Sequence, residues 1–257
     1  MGSVLTATLA ITKPFLSKGA NVLWENRDHL SLFLKTKFGK YKNLNIRFSM
    51  SGLFKIQIPE TNKYLLVFNR RIENQLQPVG GVFKRYGDEK LFNKWGYCSD
   101  TSRNGLDVDE KSSKDLRFQV KGKHVVDVLL WFDEIDSDRE SDPKREFKEE
   151  LLDTGILSKE TFDDIHCRRI RRYSKNLSWS NHFSCYEVLV YDVFELLPND
   201  SQKLELLKLA NEPVKESLSM GYAVVSCDDI YQLRFLQNGK QIARIGEHSK
   251  LLINQSF

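Results

Sequence analysis

Cysteine is scarce in this chain, with four residues in 257 (Cys98, Cys167, Cys185 and Cys227), no CxxC pair and no histidine at zinc spacing. That scarcity excludes a disulfide framework and a cysteine-ligated zinc site, and it predicts reduced thiols in a cytoplasmic protein. Long apolar runs are missing too. Nothing approaches the ~20 residues a bilayer span needs, so no membrane span is predicted. The mild apolar stretch from Val4 to Ile11 stops at Lys13-Pro14, which argues against a signal peptide. Met1 to Thr6 fits a myristoylation pattern whose six loose positions match readily by chance. There is no Ser-His-Asp set, Walker lysine loop, dinucleotide glycine fingerprint, internal repeat or low-complexity tract. A net charge of +4 is too small for a whole-protein argument for nucleic-acid binding, although a local basic patch can still attract anions.

What is present is an ordinary soluble composition, 40% hydrophobic and 29% charged, and enough chain to bury a sizeable core. Residues 1–45 read as a mainly helical extension, in which Asn26 to His29 starts a helix that Gly39 ends. From residue 46 the pattern becomes strands: 46–50, 53–58 and the near-continuous apolar run Tyr64 to Phe68, which predicts a strand buried on both faces. Gly80-Gly81 marks a backbone that bends sharply or is closely approached. Residues 87–115 are polar and read as an exposed insertion. Residues 116–120 and 125–132 read as a strand pair, with further strands at 165–173, 183–194 and 222–226. Helices are predicted over 200–210 and 228–236.

The densest chemistry lies in Arg145-Glu146-Phe147-Lys148-Glu149-Glu150-Leu151. Asp142 as N-cap, Pro143 as first residue and a closing Gly155 make it a helix. At about 100° per residue, Glu146, Glu149 and Glu150 share about a third of the circumference, while Phe147 and Leu151 point elsewhere. Like charges on one face repel unless a cation sits among them, and Mg²⁺ prefers such oxygen ligands. The plainer reading is a solvated amphipathic helix. A second concentration, Arg168-Arg169-Ile170-Arg171-Arg172, puts Arg168 and Arg172 on one face of a strand, able to fork onto phosphate oxygens, or else protects a sheet edge. Trp179 and Phe183 could stack on a base or fill a core, and Glu187 is a further candidate carboxylate. His166, His182 and His248 have no mutual metal spacing.

Gly80-Gly81 followed by Arg145-Glu146-Phe147-Lys148-Glu149-Glu150 resembles the Nudix box, whose heart is Arg-Glu-apolar-x-Glu-Glu-x-Gly. The resemblance implies an α/β (α+β) fold: a Nudix-like α/β/α sandwich with a mixed sheet. Residues 46–257 would form it, with a large insertion before the catalytic helix. It implies cleavage of a nucleoside diphosphate derivative with Mg²⁺ or Mn²⁺. Glu149 and Glu150 would be the principal metal ligands, Glu146 a further ligand or positioning group, and Arg145 their brace. Gly80 and Gly81 would let backbone amides approach the ligand. The box departs from the usual pattern: a long interval separates the glycines from Arg145, and four residues rather than one separate Glu150 from Gly155. The glutamate expected eight positions before the arginine falls at Ser137, leaving Glu134 or Glu140 as substitutes.

Gln77 to Gly81, Trp131-Phe132, Arg139-Glu140 and Arg145 to Leu151, in that order, are similar to the SMODS-associated Nudix domains of bacterial antiviral operons. This resemblance spans roughly residues 46–255 and implies a functional association with a cyclic-oligonucleotide synthase. A homodimer is common in the superfamily. Three functions follow as expectations: a metal-dependent hydrolase, a non-catalytic sensor of a nucleotide or cyclic oligonucleotide, and, resting only on the extension and insertion, a protein-interaction domain.

Overall fold

The computed structural model describes residues 29–87, 89–100, 113–134 and 138–255. Its axis is strand β1 (Asn45–Lys55), which alternates Ile46, Phe48 and Met50 on one face with Arg47, Ser49 and Ser51 on the other. Strands β2 (Lys63–Phe68), β3 (Gln75–Gln77) and β4 (Gly80–Val82) follow. Helix α1 (Leu30–Phe33), extended by a π turn over Leu34–Phe38, precedes them and buries Leu32 and Phe33 in the main core; Gly39 ends it.

Helix α2 (Lys90–Lys94), strands β5 (Cys98–Ser99) and β6 (Arg117–Lys121) and helix α3 (Val125–Asp133) come next. Helix α4 (Lys144–Phe147) continues into a π turn over Lys148–Leu152. The long hairpin β7 (Cys167–Ser180) and β8 (Cys185–Leu196) leads to helices α5 (Asp200–Asn211) and α6 (Val214–Ser219). Strand β9 (Tyr222–Ser226), helix α7 (Cys227–Gln232), the hairpin β10 (Arg234–Gln237) and β11 (Lys240–Ile245) and a 3₁₀ segment, Glu247–Ile253, complete the described chain.

Two mixed sheets result. In the first, ordered β5-β6-β1-β8-β7, β8 runs parallel to β1, while β6 and β4 pair antiparallel with successive halves of its other edge. The second is ordered β10-β11-β3-β2-β9. The apolar face of the first sheet packs on α3 and α4 through Phe48, Phe54, Phe118, Phe132 and Phe147. Part of its other face, at Leu53 and Val193, packs against Leu66, Val225 and Ile245 of the second sheet. Sheet two does not cover the polar stretch around Ser51, and there the molecule keeps a cleft.

Three expectations are corrected. Residues 125–132 form α3, not a strand: Val125, Val126, Val128, Leu129, Trp131 and Phe132 are all buried, and an apolar run this dense carries no period to separate helix from strand. The stretch 87–115 is not simply exposed, because Phe92 and Trp95 are buried edge-on against Trp131; residues 101–112 lie outside the described ones. The helix predicted over 228–236 stops when Leu233 turns left-handed, and β10 and β11 then pair around Asn238-Gly239. Both turn residues have positive φ (51° and 76°), the conformation that Asn-Gly favours in a tight hairpin. Of the helical extension, residues 1–28 lie outside the described part.

Candidate active site

Phe147 fixes the rotation of the acidic helix. Its ring is fully buried, edge-on to Phe54 of β1 at 5.2 Å and tilted against Phe162 at 5.7 Å. Burying Phe147 and Leu151 contributes about 1.5–3 kcal/mol each. With that face held down, Glu146, Glu149 and Glu150 turn towards β4 and the cleft. The helix opens at Lys144, one residue later than predicted, with Asp142 accepting the Lys144 amide at 3.0 Å. Its second half widens into a π turn, a local unwinding frequent at functional sites. Gly155 ends the turn region at φ +76°.

The paired glycines admit the carboxylates. The Gly80 amide donates to Glu150 Oε2 at 2.9 Å. At Gly81 a Cβ would stand 2.3 Å from Glu146 Oε1, and at Gly80 (φ +143°) one would stand 2.2 Å from the Gly52 carbonyl oxygen. A side chain at Gly81 would displace the Glu146 carboxylate, and one at Gly80 would collide with the β1 backbone. Gly80 therefore spends its amide on a protein carboxylate, not on a ligand as expected.

Arg145 ties the group together. Its guanidinium donates from Nε to Glu140 Oε1 (2.7 Å) and from Nη2 to Glu140 Oε2 (3.2 Å) and the Val82 carbonyl (3.1 Å). Nη1 lies 2.9 Å from Glu146 and 3.4 Å from Glu149. Burial alone would lower this pKa, but the bond to Glu140 and the surrounding carboxylates hold it above its ordinary value. Glu140, itself buried, also accepts from the Lys84 amide at 2.8 Å and the Tyr86 hydroxyl at 3.3 Å. The bracing carboxylate absent at Ser137 is thus supplied by Glu140, five residues before Arg145 instead of eight.

The charge of these carboxylates is only partly relieved. Burial raises the Glu146 pKa, against Arg145, with Glu149 adding to the rise. Burial pushes Glu150 up to about 7, against the Gly80 amide and Arg70, with Glu146 adding to the rise. Glu150 is only 8% exposed, which excludes the solvated-helix reading for this residue. Facing these acids across a cleft of about 450 Å³ are Arg70, Arg71, Lys84 and Arg117, with Tyr191 and His248 also in the lining. Tyr191 and His248 stack with centroids 6.2 Å apart. Sequence reasoning passed over this basic wall, although two adjacent arginines in the turn after a fully buried strand were a readable signal.

The structure sets Arg168 and Arg172 outside this cleft. A bulge at Ile170 shifts the β7–β8 register, so Arg168 faces Glu195 and Arg172 faces Asp192, on opposite faces of the sheet. Arg168 pairs with Glu195 at 2.9 Å, and Arg172 holds Asp192 in a fork at 2.6 and 2.7 Å and also bonds Asp133. Glu187 is likewise consumed, paired at 3.0 Å with the buried Arg47, which binds Asp100 at 2.8 Å and lies 3.8 Å from the centre of the Phe183 ring. Trp179 is exposed beside Tyr186 on the hairpin. The His166 ring meets Asp164 at 3.1 Å on the surface, and His182 packs edge-on to Phe183.

A family model described as the SMODS-associated NUDIX domain matches residues 45–253. The chain belongs to that family. No curated protein and no solved structure matches it. No described helix is long and apolar enough to cross a membrane. Nudix proteins generally use divalent metals, and the donor set suits one: hard oxygens, two of them on partly or fully buried carboxylates whose like charge a cation would relieve. Among the described residues no three His, Cys, Asp or Glu side chains converge closely enough to hold an ion by themselves. A Mg²⁺ ion commonly takes one or two protein carboxylates and completes its shell with water and substrate phosphate.

Proposed function

We propose that this Nudix domain hydrolyses a pyrophosphate bond in a nucleoside diphosphate derivative with Mg²⁺ or Mn²⁺. The observation that carries the reading is the pair of half-buried Glu146 and buried Glu150, only partly offset by Arg145 and the Gly80 amide, pressed onto Gly80-Gly81 and facing a basic wall. One or two carboxylates from among Glu146, Glu149 and Glu150 would hold the ion at a time, and the ion when bound would supply a water of lowered pKa and neutralise charge on the bridging oxygens. Arg145, itself held by Glu140, fixes the rotamers of Glu146 and Glu149. The basic wall takes the phosphate oxygens and orients the bond to be cleaved. The family description places such domains with SMODS, and we assign the substrate to a bacterial antiviral pathway containing a cyclic-oligonucleotide synthase.

The second reading, a sensor that binds a nucleotide without turnover, draws on the same cleft and is favoured by the absence of three converging acids among the described residues. The deciding assay is product release from a panel of nucleoside diphosphate derivatives, dinucleotides and cyclic oligonucleotides with Mg²⁺ or Mn²⁺. Wild type is compared with Glu149→Gln/Glu150→Gln. Turnover lost in the variant supports the hydrolase. A silent wild type that still binds a nucleotide transfers the reading to the sensor.

A further inference from the structure

The cleft has two poles, and the cationic one is carried by other elements than the acidic helix, the β2–β3 turn and β6. The turn from β2 to β3 is pinned by Asn69: its Oδ1 accepts the amides of Arg71 (2.7 Å) and Ile72 (2.9 Å), its Nδ2 donates to Gln77 Oε1 (2.6 Å), and its own amide donates to the Gln75 carbonyl (2.7 Å). Arg70 leaves this turn to bond the Glu149 carbonyl oxygen at 2.9 Å, bridging the two walls. Arg71, beside it, lines the cleft and forms no ion pair among the described residues. Below lies Arg117 of β6, largely buried and paired with Asp115 at 2.7 Å. Burial lowers the Arg117 pKa, and Arg71 and Arg47 push it the same way. Asp115 and Asp100 act on Arg117 in the opposite sense and Lys84 acts on Asp115, so these two carboxylates are outnumbered by the cations lining this end of the cleft, Arg70, Arg71, Lys84 and Arg117.

Cations gathered in a partly buried site repel one another unless an anion joins them. The anion that suits two guanidinium forks is compact and doubly charged. A terminal phosphate carries about −1.5 to −2 at pH 7, and guanidinium groups match its oxygens two at a time. A phosphodiester, with one charge and two substituents, offers less. The glutamates at the far pole repel free phosphate, so the terminal group settles at the arginines.

We propose that Arg71 and Arg117 form a metal-independent site for the terminal phosphate of a nucleoside 5′-polyphosphate, selecting substrates with a free phosphate end over cyclic oligonucleotides. This rests on the cleft being the phosphate-processing site, but its test needs no turnover. Calorimetry in EDTA at low salt would compare a nucleoside 5′-triphosphate, inorganic tripolyphosphate and a cyclic dinucleotide. The proteins are wild type, Arg71→Ala, Arg117→Lys (which keeps a cation beside Asp115) and the remote surface variant Lys203→Ala.

The expected result is triphosphate binding in wild type and Lys203→Ala, weakened about tenfold or more in Arg71→Ala and in a folded Arg117→Lys. The cyclic dinucleotide should bind less tightly than the triphosphate. Triphosphate and tripolyphosphate bound alike would support recognition of the phosphate chain alone, whereas a tighter nucleoside triphosphate would support added recognition of the nucleoside. Unchanged affinity in Arg71→Ala, a cyclic dinucleotide bound as tightly as the triphosphate, or no wild-type binding overturns the proposal. A wild type without turnover would overturn the hydrolase and leave this site standing, whereas a wild type that turns over substrate but shows no arginine-dependent binding would overturn this site and leave the hydrolase standing.

Discussion

The stretches 145–150 and 168–172 are the two densest concentrations of charge in the sequence, and they meet opposite fates. On β7 three of the four arginines find carboxylates: Arg168 with Glu195 and Arg169 (3.5 Å) with Asp192 across the hairpin, and Arg172 with Asp192 and with Asp133 of α3, while Arg171 donates to the Tyr173 hydroxyl. On α4 and its π turn, Glu146 and Glu149 share Arg145, which Glu140 also claims, while Glu150 has the Gly80 amide and the field of Arg70. Density of charge therefore does not mark a site. Imbalance under burial does, because a protein that leaves buried like charges uncompensated forgoes stability unless something binds there.

The sharpest way to break this comparison is to unbalance the balanced side. Arg172→Ala strands Asp192, whose side chain is 2% exposed. Losing one member of a buried pair costs about 3–5 kcal/mol, and the remaining Arg169 places the expectation near the lower end, about 3 kcal/mol. Chemical denaturation would read that loss, with nucleotide binding by the folded protein unchanged. On the other side, Glu149→Gln/Glu150→Gln should keep the fold and lower metal-dependent turnover by about 100-fold or more, equivalent to about 2.7 kcal/mol of barrier. A double variant that unfolds, or an Arg172→Ala protein as stable as wild type, would dissolve the contrast.

Between these lies the brace. Glu140→Gln removes one charge from a bidentate contact while keeping an acceptor for the Lys84 amide, so a cost of about 2 kcal/mol is expected. Arg145 would then lean further on Glu146 and Glu149, and kcat should fall with KM little changed. Equal loss of stability without any change in kcat would make Glu140 a purely structural partner.

How much of this was legible follows from what each element encodes locally. Strand β2 is written in five consecutive apolar residues, and the acidic helix in its i, i+3, i+4 spacing. Gly80-Gly81 announced a close approach, though not that the approaching group was a glutamate from the same chain. The register of β7 was not readable, because one bulge at Ile170 inverts which arginines share a face and nothing local to that run foretells it. Helix α3 was hidden by its own apolarity. The basic wall was hidden differently: Arg71 and Arg117 are far apart in sequence and meet only because β6 and the β2–β3 turn border one cleft.

The smallest expected effect tests the imbalance itself. Glu150 titrates near 7 in the fold and about 4.5 in a free chain, so between those values the folded state binds more protons than the unfolded one. Stability must then fall as pH rises from about 4.5 to 7 and stay reduced above, the opposite of a carboxylate held by a cation. Glu150→Gln keeps an oxygen for the Gly80 amide but abolishes the charge. In EDTA at pH 8 the variant should therefore be more stable than wild type by about 1–2 kcal/mol, below the ceiling of about 3 kcal/mol that the full shift implies. At pH 4 the advantage should vanish, since both proteins are then neutral at this position. Added Mg²⁺ should raise the melting temperature of wild type more than that of the variant, because the variant has lost the Glu150 charge that the ion relieves. A variant no more stable than wild type at pH 8 would mean that Glu150 is already compensated, and the contrast between the two stretches would lose its physical basis.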